Sequence, residues 1–253
     1  MCGRDEIMNA LLITAAGASS RFSESLGRSC LKCLYFENSY KESLLYRMIS
    51  HPVHFDYYII VGGFQYERLE QFVEQHFEKI RDRIILLENK DFARYGSGYS
   101  LFTGLERAIQ LKCDEVLFAE GDLFVDRAGF EQVYRAKRNV ITYNKESILA
   151  SKAVAFYYDV HYGIHYIYDT DHQSLEIREP FLGIFNSGQI WKFYQKERLM
   201  DVFDSMGKSD WSGTNLTFIQ KYFEGLSDTE YEMVLFDTWI NCNTVSDFRQ
   251  MSE

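Results

Sequence analysis

The sequence predicts an α/β fold in which a mostly parallel, doubly wound sheet carries an inserted lobe of antiparallel strands and helices. Two observations predict it. From residue 8 to about residue 119, short apolar runs alternate with segments whose apolar residues recur at helical spacing, which is typical of βαβ units. After about residue 145, segments of alternating polarity that are rich in Tyr and His replace this order, which is typical of antiparallel strands.

The first half is predicted to contain four strands and three helices. Apolar runs without alternation indicate strands that are covered on both faces, and they lie at 10–15, 56–61, 83–87 and 115–119. Helical spacing and stop signals predict helices at 41–49, 66–79 and 99–111. In such sheets ligands bind outside the carboxyl ends of the strands, so the loops after Ala15, Gly62 and Ala119 are expected to face one cleft.

The second half is predicted to build the lobe and then return to the sheet. Patterns predict antiparallel strands at 154–158 and 163–168, helices at 191–203 and 214–223, and a final strand at 234–240. The chain has only 2 Pro, and neither a repeat nor a Pro-rich linker divides it. We therefore expect a single domain over 1–253, with a core of 8–145 and 232–250 and a lobe of about 146–231.

Composition excludes several classes of function. The formal net charge of the 253 residues is −10, which disfavours binding to nucleic-acid backbones. No run of 18 apolar residues predicts a membrane span, so we expect neither a membrane nor a nucleic-acid partner. The five Cys are unevenly spaced, and the CxxC of Cys30 and Cys33 has no second pair to complete a zinc site. Reduced thiols and a cytoplasmic location are expected.

A loop of small residues follows the first strand and predicts a phosphate site. Small side chains let backbone N–H groups approach phosphates. Arg21 would then bind a triphosphate through the paired N–H groups of its planar guanidinium, and Lys32 through its compact ammonium charge. The absence of GKS/T and of GxGxxG disfavours a Walker loop and a nicotinamide-binding domain. An ordinary turn with two surface cations is the alternative. The loop consists of Ala15, Ala16, Gly17, Ala18 and Ser19.

A carboxylate follows the fourth strand in the sequence Glu120-Gly121-Asp122. A carboxylate at a strand end inside a cleft suits Mg²⁺, which prefers oxygen ligands. We therefore predict Asp122 as a metal ligand and Gly121 as part of the nucleotide site. The alternative is a turn in which Asp122 bonds its own backbone.

These motifs resemble those of nucleotidyltransferases with a Rossmann-like, GT-A-type fold, which include sugar-phosphate nucleotidyltransferases and choline-phosphate cytidylyltransferases. Ala15–Phe22 followed by Leu31-Lys32-Cys33-Leu34 resembles their phosphate-binding signature, with Leu31 in place of the family's Pro. The strand-end Asp122 resembles their metal-binding Asp. Residues 241–248 resemble their closing segment, and this likeness implies that Asn243 is the second Mg²⁺ ligand. Read alone, Asn243-Thr244 equally predicts a helix N-cap.

Residues 89–100 resemble a nucleotide-holding segment of the choline-phosphate cytidylyltransferases. Tyr99-Ser100 match it, whereas Gly96-Ser97-Gly98 replace the family's Asn-Asn-Ile. The resemblance implies contacts to the nucleotide and favours CTP. A glycine turn before the next helix is the alternative. The implied contact residues are Ser97, Gly98, Tyr99 and Ser100.

The resemblance implies Mg²⁺-dependent transfer of a nucleoside monophosphate from a nucleoside triphosphate, preferably CTP, to a small phosphorylated acceptor. Phosphocholine, 2-aminoethylphosphonate and phosphoglutamine are candidate acceptors, as in the decoration of surface polysaccharides. A sugar-1-phosphate nucleotidyltransferase and an inactive nucleotide-binding regulatory module are the alternatives, and a homodimer is left open. Four residues are candidates for contacting the acceptor, each of which could instead be structural: Lys152, Glu179, Asp210 and Trp211.

Overall fold

The computed structural model describes residues 7–150, 154–168 and 175–251, and it shows helices on both faces of a central sheet. The strands are β1 (Asn9–Ala15), β2 (Tyr57–Gly62), β3 (Ile84–Glu88), β4 (Glu115–Glu120), β5 (Leu123–Val125), β6 (Asn139–Asn144), β7 (Ala155–Asp159), β8 (Ile164–Ile167), β9 (Phe181–Phe193), β10 (Tyr231–Phe236) and β11 (Trp239–Asn241). The α-helices are α1 (Ser20–Leu26), α2 (Leu44–Ile49), α3 (Tyr66–His76), α4 (Ser97–Gln110), α5 (Arg127–Arg135), α6 (Lys196–Ser205), α7 (Lys208–Trp211), α8 (Leu216–Phe223) and α9 (Val245–Gln250). Single turns of 3₁₀ helix lie at Lys32–Leu34 and Tyr40–Glu42, and a longer one at Glu78–Arg83.

The central sheet has the strand order β10-β6-β9-β4-β1-β2-β3. Neighbouring strands pair in parallel except at β9, which runs antiparallel to both β4 and β6. This confirms the predicted α/β fold with a largely parallel, doubly wound sheet. The first half of β9 also pairs with β7, and β7 pairs with β8, both antiparallel. We call β7, β8 and the first half of β9 the arm.

Strand β1 shows why its sequence is continuously apolar. Leu11 and Ile13 enter the hydrophobic core on one face of the sheet, and Ala10 and Leu12 enter the core on the other face. All four side chains are fully buried. A strand that is covered on both faces needs no polar alternation, so its apolar run predicted it correctly.

The prediction of a helix at 191–203 is wrong at its start. Trp191 and Phe193 end β9, and the helix α6 begins only at Lys196. Trp191 stacks on Phe118 of β4 with ring centroids 5.3 Å apart, and its Nε1 donates to the hydroxyl of Tyr166 at 2.7 Å. A short apolar run fits a buried strand and a buried helix equally well, and here pairing with β4 decides.

Several other elements also differ from expectation. The predicted strand at 234–240 is divided between β10 and β11, and part of the predicted helix at 41–49 is a 3₁₀ turn followed by α2. Helices α1 and α5 and strand β6 were not predicted. In the described ranges, the helices are all too short or too polar to span a bilayer.

Candidate active site

A cavity of 360 Å³ opens where β1 and β4 end. Its size falls within the range of small-molecule sites. Four segments surround it: the end of β1 with the loop that follows, residues 31–33, the residues before and within the first turn of α4, and the end of β4 with the residues that follow. Its lining residues are Thr14, Ala15, Ala16, Gly17, Ser19, Leu31, Lys32, Cys33, Phe92, Tyr95, Gly96, Ser97, Ser100, Glu120, Gly121 and Asp122.

Four polar side chains from distant parts of the sequence meet beside this cavity. The ammonium nitrogen of Lys32 lies 2.6 Å from Oδ2 of Asp122 and donates to Oδ1 of Asn243 at 3.2 Å. The same Asn243 oxygen accepts a hydrogen bond from Arg21 at 2.9 Å. Two cations, one carboxylate and one carboxamide oxygen therefore form one connected cluster, which we call the polar cluster.

Pairing of two short strands brings Asn243 to Asp122. Asn241 of β11 is in register with Leu123 of β5, and the backbone N–H of Cys242 donates to the carbonyl of Asp122 at 2.8 Å. Asn243 then precedes α9, where Thr244 is the N-cap and Asp247 completes a capping box. The Asp247 carboxylate also accepts from the backbone N–H of Asn243 at 3.0 Å. The capping box thus fixes the backbone that presents Asn243.

The loop after β1 is tied to the segment that carries Lys32. Ser19 adopts a left-handed conformation with φ of 53°, and its hydroxyl accepts from the backbone N–H of Lys32 at 3.2 Å. Gly121, the residue after β4, lies close to the end of β1, because a Cβ atom at Gly121 would lie 2.7 Å from the carbonyl oxygen of Thr14. A larger residue would therefore push Asp122 away from Lys32.

Glu120 adds a second carboxyl group to the cavity wall. Burial and the negative charge of Asp122 raise the pKa of Glu120 to about 7. Its Oε1 accepts from the side chain of Asn215 at 2.8 Å, and the backbone N–H of Asn215 donates to the hydroxyl of Ser97 at 3.0 Å. These bonds join the end of β4 to the start of α4 through a residue of the second half.

The donor set of the polar cluster fits a hard cation. Oδ1 of Asp122 is buried and has no hydrogen-bond partner among the described residues, so one carboxylate oxygen can accept a ligand. No group of three or more His, Cys, Asp or Glu side chains within the described ranges is arranged to hold a metal. Such a cage is not required for Mg²⁺, which is often held by one or two carboxylates plus substrate phosphates.

Cys33 and Cys30 carry free thiols. Burial raises the pKa of the Cys33 thiol to about 12, so it lines the cavity in the protonated, unreactive form.

Most residues of the predicted nucleotide site line the cavity, and three stand apart. Among the described residues, Ala18, Gly98 and Tyr99 do not line the cavity. Gly98 packs against the backbone of residues 211–214, where a Cβ atom would lie 2.9 Å from the carbonyl oxygen of Trp211. Tyr99 stacks on Phe102 with ring centroids 5.8 Å apart. The hydroxyl of Ser100 is buried and accepts from Asn89 at 2.9 Å.

Two of the predicted acceptor residues, Asp210 and Trp211, are neighbours in α7 and have structural roles there. Trp211 is 4% exposed and packs among Phe102, Phe203 and Phe218 in the core, so its ring has no free face for a ligand. Asp210 accepts from the backbone N–H of Gly207 at 3.0 Å, as part of the cap of α7.

The other two acceptor candidates lie outside the cavity or outside the described ranges. Glu179 is exposed, and its carboxylate accepts from the hydroxyl of Tyr157 at 2.6 Å. Lys152 lies outside the described residues.

Several lining residues belong to motifs noted in the sequence or lie next to them but were not predicted as site residues. Phe92 and Tyr95 belong to the segment 89–100 that was recognised as a unit, and Glu120 immediately precedes the predicted Gly121-Asp122. The motifs therefore indicated this part of the chain, but the residue types of Phe92, Tyr95 and Glu120 did not indicate that these side chains line the cavity. The remaining members of this set are Thr14, Leu31, Cys33 and Gly96.

Comparison with known proteins identifies a sequence family. A family model described as "Domain of unknown function (DUF6564)" matches residues 28–253. No curated protein sequence matches the chain.

Solved structures similar to this one cover nearly the whole chain. The inositol-1-phosphate CTP transferase from T. maritima has a TM-score of 0.65 and 17% identity, covering 97% of this chain and 96% of that one. The CTP:phosphocholine cytidylyltransferase from Streptococcus pneumoniae has a TM-score of 0.64 and 15% identity, covering 97% and 98%. A putative glucose-1-phosphate thymidylyltransferase from Bacillus anthracis has a TM-score of 0.65 and 12% identity, covering 96% and 93%. The chain therefore has the fold of these nucleotidyltransferases.

Proposed function

We propose that this chain, which belongs to the family described as domain of unknown function DUF6564, is a nucleotidyltransferase that depends on a divalent metal. It would move a nucleoside monophosphate from a nucleoside triphosphate to a small phosphorylated acceptor. The observation that carries this proposal is the polar cluster of Arg21, Lys32, Asp122 and Asn243 beside a cavity of ligand size. Its four members come from the places where nucleotidyltransferases of this fold type carry their phosphate-binding and metal-binding motifs.

Asp122 and Asn243 would hold Mg²⁺. The unpartnered Oδ1 of Asp122 supplies a charged oxygen, and Oδ1 of Asn243 supplies a neutral one. When bound, the metal would neutralise negative charge on the transferred phosphate and on the leaving pyrophosphate.

The chain's own groups would supply positioning and positive charge. The acceptor's phosphate is already an anion, so its attack on the α-phosphorus requires no general base. Arg21 and Lys32 would bind the triphosphate and stabilise the leaving pyrophosphate, and the backbone of the loop Ala15–Ser19 would seat its phosphates. Catalysis would then consist of orientation and of electrostatic stabilisation of the transition state.

CTP is the proposed nucleotide, and a phosphorylated amine or amino acid is the proposed acceptor. Two similar structures are named as CTP-dependent transferases, one of them for phosphocholine. Tyr99-Ser100 also match the cytidylyltransferase pattern. A sugar 1-phosphate is the second candidate acceptor, favoured by the similarity to the putative thymidylyltransferase. Residues 146–231 would form the acceptor lobe on a core of 8–145 and 232–250.

Pyrophosphate release tests this function. The protein is incubated with Mg²⁺, one of CTP, UTP, GTP, ATP or dTTP, and a panel of phosphorylated amines, amino acids and sugars. We expect release with CTP and one amine or amino-acid phosphate. Release only with another nucleotide and a sugar phosphate would instead identify a sugar-1-phosphate nucleotidyltransferase.

Two variants separate the site from the rest of the protein. Asp122→Asn should lose Mg²⁺-dependent release while the chain stays folded. Asp237→Asn is the matched control, since Asp237 is exposed and pairs only with the surface Lys145 among the described residues. Full activity of Asp122→Asn would contradict the metal assignment. If the protein binds nucleotides but turns over none of the acceptors, the alternative of an inactive nucleotide-binding regulatory module would be favoured.

A further inference from the structure

Strand β9 contains an irregularity next to the polar cluster. Residues 188–190 of β9 oppose a single residue of β6, Thr142, because the register shifts between Ile141 and Tyr143. Gln189, inside this bulge, has a left-handed backbone with φ of 55° although it is not a glycine. Such a conformation costs on the order of 1–3 kcal/mol and tends to persist at functional sites.

Side chains hold the bulge in one shape. The hydroxyl of Thr142 donates to the carbonyl of Ile190 at 2.6 Å and accepts from its N–H at 3.2 Å. The backbone N–H of Gln189 donates to the hydroxyl of Ser187 at 3.1 Å. Trp239 donates from Nε1 to the carbonyl of Gly188 at 2.9 Å. The bulge is therefore a rigid feature, and bulges of this kind often aim a side chain.

The side chain aimed by this bulge starts a chain of carboxamides that ends in the polar cluster. Gln189 is 1% exposed, and its Oε1 accepts from Nδ2 of Asn241 at 2.9 Å. Oδ1 of Asn241 accepts in turn from Nδ2 of Asn243 at 2.7 Å. Oδ1 of Asn243 is thereby left to face Arg21 and Lys32.

The direction of these bonds matters because a carboxamide has one accepting end and one donating end. If the carboxamide of Asn243 turned over, its NH₂ group would face two cations and any bound metal. A carboxylate at the same position would accept at both oxygens and would need no such control. The demand for orientation is therefore specific to an Asn at position 243.

We propose that Asn241 and Gln189 are positioning residues that keep the carboxamide oxygen of Asn243 directed at the polar cluster, an inference that rests on the function proposed above. Gln189 holds the amide of Asn241 by accepting from its Nδ2, while Arg21 and Lys32 face the oxygen at the other end of the series. Asn241 transmits this orientation to Asn243, which presents its oxygen.

A double-mutant cycle at positions 241 and 243 tests whether the series of carboxamides orients Asn243. Asn241→Leu removes the acceptor for Asn243 Nδ2. Asn241→Asp is the matched control, because its carboxylate accepts at both oxygens and keeps that acceptor, while Gln189 can turn its NH₂ group toward it. We expect Asn241→Leu to lower kcat roughly tenfold to a hundredfold, the usual cost of losing a group that orients a metal ligand, with a smaller change in KM. Asn241→Asp should stay within about threefold of wild type, because the acceptor that position 243 needs is preserved.

The decisive comparison is the effect of Asn241→Leu in a protein that already carries Asn243→Asp. With a carboxylate at 243 the orientation needs no support, so adding Asn241→Leu should change kcat by less than about threefold. Mn²⁺ affinity, measured by electron paramagnetic resonance without nucleotide, should follow the same pattern. It should be weaker in Asn241→Leu than in wild type, and equal in Asn243→Asp with and without Asn241→Leu.

Two results would overturn the inference. One is wild-type Mn²⁺ affinity in Asn241→Leu, and the other is an equal loss on adding Asn241→Leu to either residue at 243. Absence of pyrophosphate release from the wild type would instead contradict the proposed function, while the Mn²⁺ affinities of the four proteins would still test the amide chain.

Discussion

The ammonium nitrogen of Lys32 lies 2.6 Å from Oδ2 of Asp122, although 90 residues separate them in the sequence. Both side chains are 18% exposed, so the pair is shielded from solvent yet open to the cavity. Short charge-assisted bonds of this kind are stronger than neutral ones. The ammonium group of Lys32 thus places a positive charge beside the proposed metal ligand before any substrate binds.

We predict that Lys32→Ala lowers kcat by about 10²–10³-fold, the usual loss when a charge that stabilises the transition state is removed. Mn²⁺ affinity should not fall, since the variant leaves the Asp122 carboxylate free for the metal. Steady-state kinetics and Mn²⁺ titration measure the two effects. Lys90→Ala is the control, because the side chain of Lys90 is 80% exposed. Unchanged kcat in Lys32→Ala would contradict this role.

Gly121→Ala should damage the site through the backbone. The added Cβ would lie 2.7 Å from the carbonyl oxygen of Thr14, so β4 or the loop after β1 must shift. We expect a loss of about 1–3 kcal/mol in the free energy of unfolding and roughly a 10²-fold loss of kcat from misplacement of Asp122. Gly207→Ala is the control, because a Cβ atom there meets nothing within 4 Å. Equal behaviour of both variants in urea denaturation would refute the prediction.

Lys192→Met should strongly destabilise the fold. The ammonium of Lys192 is 2.7 Å from the Glu115 carboxylate, the two side chains are 3% and 8% exposed, and burial lowers the pKa of Lys192. Its loss would leave the buried carboxylate with only the exposed Lys137 at 4.0 Å as an ion-pair partner, at a cost of about 3 kcal/mol.

Urea denaturation of matched variants checks this expectation. Lys192→Met combined with Glu115→Met should recover part of the stability, since no charge remains buried, although the carbonyls of Tyr134 and Ala136 still lose the donor that Lys192 supplies. The partly exposed pair of Lys196 and Asp114 is the control, and Lys196→Met should cost less than about 1 kcal/mol. A small effect of the single variant Lys192→Met would show that the charge at Glu115 is well solvated.

His51 should make stability depend on pH. Burial lowers the pKa of His51 from 6.5 to about 4, and its ring stacks on Phe130 with centroids 4.0 Å apart. Between these two pH values the unfolded chain binds a proton that the folded protein excludes. The stability contribution is therefore complete above pH 6.5 and is lost as the pH falls toward 4.

We expect this loss to be on the order of 2 kcal/mol. His51→Phe keeps the stacked ring without the titration, so its free energy of unfolding should fall less between pH 7 and pH 4. Parallel slopes for the variant and the wild type would exclude His51 as the cause.

Local patterns predicted the buried strands of the core and the placement of polar residues where those strands end. The run 10–15 could be assigned because a strand buried on both faces is continuously apolar and is followed by Gly17. The position of Asp122 at the cavity could be predicted because parallel strands present their carboxyl ends at one edge of the sheet. These features depend on residues that are neighbours in sequence.

Long-range pairing accounts for what could not be predicted. Asn243 reaches Lys32 only through the three-residue pairing of β5 and β11, and strands of this length carry no periodic signal. The bulge at Gln189 lies in a strand whose final residues, Trp191–Phe193, were interpreted as helix. Trp211 illustrates another limit, because aromatic composition does not distinguish a core ring from one that lines a pocket.

Strand β9 has a mechanical consequence for the whole molecule. Its residues 181–186 pair with β7 in the arm, and its residues 186–193 pair with β6 and β4 in the central sheet. One strand therefore runs from the arm into the central sheet, with a bulge at residues 188–190, and swinging the arm as a lid would break hydrogen bonds between β9 and its neighbours.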